Sequence, residues 1–199
     1  MAAPPRGRPR DPELDERILA VTRAGLDAHG YAGLSLEAVA RAAGVGKQTV
    51  YRRWARKPLL VFDAVFGGAE TVKAALPDLG SLAADLMEVT TIQARVYRIS
   101  GVRDLVRGLL ADCLPEPALR AELRARFLRP RLEALAAVVE AAKRRGEIRA
   151  DVEASVVAEA LAGAMLFHFL LYADDQTGAD DDGDAFGARL ASLVSRGAR

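Results

Sequence analysis

The chain is poor in the residues on which most active-site chemistry depends. It holds one cysteine, Cys113, and two histidines, His29 and His168, in 199 residues. A single cysteine excludes an intramolecular disulfide. Two isolated histidines supply neither a cluster at metal-ligand spacing nor the Glu-x-x-His pair of a di-iron bundle. Neither histidine lies beside residues resembling a nucleophile motif. His29 falls at a helix C-terminus, where positive charge is favoured, and His168 sits in an aromatic run; both read first as structural. No segment alternates in the manner of a strand, no glycine-rich phosphate loop is present, and no internal repeat is visible. Residues 1–10 contain no apolar run of the kind a secretory signal needs, so the expected location is the cytoplasm, with no membrane partner. No enzymatic activity, metal or cofactor is expected.

What remains is ample apolar material and uneven charge. Hydrophobic residues make up 51% of the chain, enough for a sizeable core. The net charge is +1, yet residues 1–60 carry +5 and the remainder −4. A basic N-terminal part on a mildly acidic body points to a polyanionic partner for the first part only. The charge is densest in residues 44–57, which hold Lys47, Arg52, Arg53, Arg56 and Lys57 and no carboxylate; the nearest are Glu37 and Asp63. Val50 and Trp54, four apart, share one helix face, leaving Lys47, Gln48, Thr49, Tyr51, Arg52 and Arg53 outside the buried stripe. Amides, hydroxyls and guanidinium groups are the types that read base edges and hold phosphates.

The residues just upstream strengthen this reading. Ser35 is a favourable N-cap, and Leu36, Val39, Ala40 and Ala43 follow at helical spacing. Gly44 can take positive φ and turn the chain, and Val45 follows as an apolar plug before a second short helix. Two short helices, a tight glycine turn and a basic second helix describe a helix-turn-helix. In combination, Gly30-Tyr31, Leu34-Ser35-Leu36, Val39-Ala40, Ala43-Gly44-Val45, Thr49-Val50-Tyr51, Trp54 and Lys57-Pro58-Leu59-Leu60 make residues 17–66 resemble the DNA-binding domain of the TetR family of bacterial transcriptional regulators.

That resemblance implies an all-α homodimer: an N-terminal three-helix helix-turn-helix domain joined by a long helix to a C-terminal helical domain for ligand binding and dimerisation. It implies a dimeric repressor that leaves a pseudo-palindromic operator when a small-molecule effector binds. Two alternatives stay open: an architectural DNA-binding protein without effector, and a helical ligand-binding or enzymatic domain with an incidental basic patch. The expected divisions are a flexible basic arm over residues 1–11, a DNA-binding domain over 12–60 with its helix-turn-helix at about 36–55, and a C-terminal domain over 61–199. The DNA-binding candidates are Arg6, Arg8, Arg10, Ser35, Lys47, Gln48, Thr49, Tyr51, Arg52, Arg53 and Lys57. Gln48 and Thr49 are assigned to base edges, and Tyr51, Arg52, Arg53 and Lys57 to phosphates, with Lys47 open to either. The arm's arginines suit a narrow minor groove, the plain alternative being a solubilising tail. Gly25 stands where the family tends to have a bulky apolar residue, so looser packing is expected there.

A helix is expected from Arg56 to about Ala75, with Leu59, Phe62 and Phe66 inward, giving a rigid connection. Further helices are expected at 81–98, 101–113, 116–145, 152–173 and 184–196, with Pro130 kinking or interrupting the third. Residues 156–173 are apolar on nearly every face, although they include Glu159 and His168. A helix apolar all round is buried all round, and a second copy of the chain is the simplest cover. Candidates for that interface are Leu161, Ala164, Leu171, Leu190, Leu193 and Val194. Effector-pocket candidates are Phe62, Phe66, Met87, Arg95, Tyr97, Phe127, Met165, Phe167 and His168, a mixture of aromatic and Met side chains with a few polar groups.

Overall fold

A computed structural model describes residues 11–67, 78–99, 101–172 and 181–197, and every regular element among them is helical. The chain divides into two compact units between Phe66 and Gly67.

The first unit contains α1 (Pro12–Gly33), α2 (Leu36–Ala42), α3 (Lys47–Arg53) and α4 (Lys57–Phe66). Asp11 caps α1: its Oδ1 accepts from the backbone N–H groups of Glu13 at 3.1 Å and Leu14 at 3.2 Å, with Pro12 just inside the helix. Gly30, at φ 65 and ψ −179, breaks α1 and sends its last turn, with buried Tyr31, in a new direction. α1 packs on α4 and α2 on α3 around Ile18, Leu36, Val39, Ala40, Val50, Trp54, Leu59 and Leu60. The looser packing expected at Gly25 is not found. A Cβ there would stand 2.8 Å from Leu34 Cδ1, so Leu34 already fills the space.

α2 ends in a Schellman motif. Gly44 takes φ 66, its N–H donates to the Arg41 carbonyl at 3.1 Å, and the Val45 N–H donates to the Ala40 carbonyl at 2.9 Å. The long helix expected from Arg56 is shorter than its pattern suggests. α4 ends at Phe66, because Gly67 adopts φ 68 and leaves the helical path. The remainder of that expected helix, 68–75, lies outside the described residues.

The second unit contains α5 (Leu82–Tyr97), α6 (Val102–Cys113), α7 (Pro117–Leu123), a π-helical turn (Arg124–Leu128), α8 (Arg129–Arg144), α9 (Ala154–Leu171) and α10 (Asp181–Gly197). Pro130 has its expected disruptive effect, through a widened turn. Proline offers no N–H to the carbonyl four residues back and its ring crowds that carbonyl. The backbone opens so that the Arg129 N–H donates to the Arg124 carbonyl, and Arg131 Nη1 donates to the Phe127 carbonyl at 2.9 Å. The core gathers Leu82, Leu86, Leu135, Val138, Val139, Ala158, Leu161 and Ala191. α10 lies close on α5: a Cβ on Gly187 would sit 2.9 Å from Thr90 Cβ. Buried Asp85 accepts from the Leu79 N–H at 2.6 Å and pairs with Arg145 at 3.3 Å, tying the start of α5 to the turn after α8. Arg145 also pairs with Glu147, whose Oε2 accepts from the Leu82 N–H at 2.7 Å.

One interface candidate is corrected by this packing. Leu161 is 1% exposed and belongs to the chain's own core, so it has no surface to offer a second copy.

The turn at Gly44 yields a direct check. A Cβ at Gly44 meets nothing within 4 Å, so Gly44→Ala costs backbone strain alone. Placing an L-residue in the left-handed region costs about 1–2 kcal/mol. Gly46, at φ −66 with equally open surroundings, carries no such strain, and alanine there loses only the N-cap preference for glycine. Urea unfolding of the two variants separates them: Gly44→Ala loses more stability than Gly46→Ala.

Candidate nucleic-acid interface

α3 is too short to hold itself, so its position depends on what lies behind it. Val50 is fully buried and Trp54 is 3% exposed. The Trp54 Nε1–H donates to Asp63 Oδ2 on α4 at 2.7 Å, so the indole is buried with its one donor satisfied. Arg53, whose side chain is 8% exposed, pairs with Asp15 on α1, and its Nη1 donates to the Thr49 carbonyl at 3.4 Å. Two carboxylates, one from α1 and one from α4, therefore fasten the C-terminal end of α3. The expectation that Arg53 holds a phosphate is corrected: its guanidinium is spent on Asp15 and turned away from solvent.

Lys57 is also partly committed. Its Nζ donates to the Tyr31 carbonyl at 3.2 Å and lies 4.1 Å from the centroid of the Tyr31 ring. Ser35 acts as the N-cap of α2, its Oγ accepting from the Ala38 N–H at 3.1 Å. Lys47, Gln48, Tyr51 and Arg52 are exposed along one side of α3, with Thr49 half-buried beside them. The Tyr51 hydroxyl donates to Glu37 Oε1 at 2.6 Å. This hydrogen bond holds the Glu37 carboxyl below its ordinary range and pushes the Tyr51 phenol above the ordinary value near 10. Arg6, Arg8 and Arg10 lie outside the described residues.

Sequence pattern did not reveal the partners of three carboxylates here: Asp15, Glu37 and Asp63. Their partners lie at separations of 38, 14 and 9 residues, beyond any single-helix period, so only the packed turn reveals them.

The effector candidates do not gather around one described cavity. Phe62 and Phe66 belong to the first unit, their rings 4.8 Å apart. In the second, Tyr97 stacks on Phe169 at 4.1 Å and its hydroxyl accepts from Gln93 Nε2 at 2.9 Å; burial pushes its phenol up. His168 stacks on Phe186 at 4.0 Å. Phe127 and Met165 are buried, whereas Met87 and Arg95 are exposed and Phe167 is 56% exposed. Two grooves, of about 660 and 870 Å³, are lined by other residues, chiefly Ser81, Leu82, Glu147 and Arg149 in one and Arg189, Leu193 and Arg196 in the other. Phe169 and Phe186 join the aromatic layer although neither was an effector candidate. Of the interface candidates other than Leu161, Leu171 and Leu193 are exposed, and Ala164, Leu190 and Val194 are half-buried.

Residues 18–64 match the family model described as bacterial regulatory proteins of the tetR family, and residues 76–186 match the tetracyclin repressor-like C-terminal domain. The chain is 32% identical over 168 residues to the HTH-type transcriptional regulator Rv1556 of Mycobacterium tuberculosis, spanning 82% of each protein. It is 31% identical over 156 residues to the DNA-binding transcriptional repressor TetR of Mycobacteroides abscessus, covering 77% of this chain and 80% of that one. Among solved structures, the TetR family transcription regulator SCO0332 superposes with a TM-score of 0.76 at 28% identity, over 93% of this chain and 98% of that one. Thermus thermophilus FadR, solved with lauroyl-CoA, gives 0.69 at 20% identity over 92% and 93%. The exposed basic face on an anchored second helix, the all-helical second unit and these matches together place the chain in the TetR family of helix-turn-helix transcriptional regulators.

Proposed function

We propose that this chain is a cytoplasmic homodimeric repressor. The first unit, to Phe66, binds one half of a pseudo-palindromic operator, and the second, from Gly67, supplies dimerisation and a small-molecule site. The observation that carries the DNA reading is the outward row Lys47, Gln48, Arg52 on a helix locked from behind by Trp54 and Arg53. Rigid support is what a base-reading element needs. Gln48 and Thr49 take base edges, Arg52 takes phosphate, Lys47 takes either, and Lys57 adds its remaining donors to the backbone. Arg6, Arg8 and Arg10 follow the backbone or the minor groove.

Dimerisation falls to α9 and α10. α9 is apolar along most of its length, Ser155, Glu159 and His168 apart, yet only 28% of it is buried within one chain. Val156, Phe167 and Leu171 lie exposed on it, as does Leu193 on α10. Ala164, Leu190 and Val194 lie between this face and the core. Phe167 therefore belongs to the interface and leaves the effector set. The effector candidates that remain are Tyr97, Phe127, Met165 and His168 of the second unit, whose aromatic and Met surfaces suit an apolar ligand. Thermus thermophilus FadR, which shares this fold, was solved in complex with lauroyl-CoA.

Selection of bound fragments from the source genome, then titration with and without small molecules, tests the whole reading. A pseudo-palindrome is enriched, and an effector preferring the free protein about a hundredfold supplies roughly 2.7 kcal/mol of coupling that dissolves the complex. Equal binding to every duplex with no metabolite effect identifies an architectural protein instead.

Arg52→Gln weakens binding to all sequences alike and reduces the salt slope by about one unit, whereas removal of residues 1–10 reduces it further without affecting dimerisation. Titrations across a salt series measure both; an altered base preference in Arg52→Gln contradicts its phosphate role. Phe167→Asp combined with Leu193→Asp yields a folded monomer by light scattering, with operator affinity reduced by more than tenfold. A variant that remains dimeric moves the interface elsewhere.

A further inference from the structure

Three carboxylates touch the α3 side chains, and they differ in kind. Asp15 and Asp63 lie behind the helix, paired with Arg53 and Trp54. Glu37, in the first turn of α2, is exposed and holds an exposed residue, Tyr51, at 2.6 Å. That distance is in the short range of charge-assisted O–H···O⁻ bonds.

The proton count decides what this pair can contact. A phenol has one proton to donate, and Tyr51 gives it to Glu37. Phosphate oxygens only accept, so Tyr51 in this state has nothing to give them. Its oxygen retains a lone pair, and the Glu37 carboxylate, which also accepts from its own backbone N–H, keeps further lone pairs, so the pair presents acceptors and no donor. The major-groove donors of duplex DNA are the exocyclic amino groups, cytosine N4 and adenine N6. Lys47, one helical turn before Tyr51 on α3, adds positive charge near the carboxylate. This offsets the repulsion between Glu37 and the phosphates.

We propose that Glu37 and Tyr51 form one base-reading unit that accepts from an exocyclic amino group in the major groove, so that Tyr51 sets sequence preference and does not hold phosphate. The proposal rests on the reading that α3 faces the duplex. The hydrogen bond persists around neutral pH, since it lowers the titration of the carboxyl and raises that of the phenol. The competing arrangement is a latch: the pair opens on binding, Tyr51 turns to a phosphate, and Glu37 is left as a repulsive charge.

The test uses the full-length protein and a library of randomised duplexes, with selection by the wild type, Glu37→Gln and Tyr51→Phe. The wild type fixes a cytosine or adenine at one position of each half-site. Both variants lower that preference tenfold or more while preferences elsewhere and the salt slope stay unchanged. Ultraviolet titration of the phenols provides a folded-state check, with the Tyr51 midpoint of Glu37→Gln moving down towards 10. If Glu37→Gln tightens binding to every duplex alike, the latch is correct and the proposal is overturned. Unchanged base preference in both variants overturns it too. A wild type that enriches no sequence removes the reading of α3 itself, and this inference with it.

Discussion

The first unit depends on the burial of Trp54. The indole closes α3 against α4, is 3% exposed, and has its single donor satisfied by Asp63 at 2.7 Å. Removing such a side chain costs about 3–5 kcal/mol. α3 itself contributes little stability, as seven residues form barely two turns and nucleation is unfavourable. The polar face of α3 exists as an ordered surface only because this apolar anchor and the Schellman turn at Gly44 fix its two ends.

Charge is divided in the same way. The region reads as a uniformly basic stretch along the chain, but the folded unit sorts its cations. Arg53 is neutralised by Asp15 and turned inward, Lys57 is seated on Tyr31, and Lys47 and Arg52 remain outward. An inward ion pair holds geometry and contributes nothing to steering, whereas outward cations raise the local concentration of a polyanion. Glu37 is the exception on the outward side, and its hydrogen bond to Tyr51 converts a nominal repulsion into a defined pair of acceptors.

Much of this was legible in the sequence because local signals agreed with one another. Ser35, Gly44 and the Val50–Trp54 spacing each specify a boundary or a face, and each does so in the structure. Pro130 announced a disruption, although its form, a π turn capped by Arg131, depends on a side chain folding back. α4 was read too long because apolar periodicity continues past a glycine whose φ sequence does not display. α9 gave the least. A helix apolar on all sides has no moment, so Leu161 and Phe167 are indistinguishable in sequence, yet one is core and the other is surface. The effector candidates scattered for the same reason. Which aromatic rings meet depends on helix rotation, as the Tyr97–Phe169 and His168–Phe186 stacks illustrate.

The central claim is that two copies of α3, each fixed by its own Trp54 anchor, read two halves of one site. Hydroxyl-radical footprinting on a selected duplex tests it most directly. The account predicts two protected windows related by a dyad, their centres about one helical turn (roughly 34–36 Å) or a multiple apart. A single asymmetric window, or uniform protection without boundaries, would contradict it.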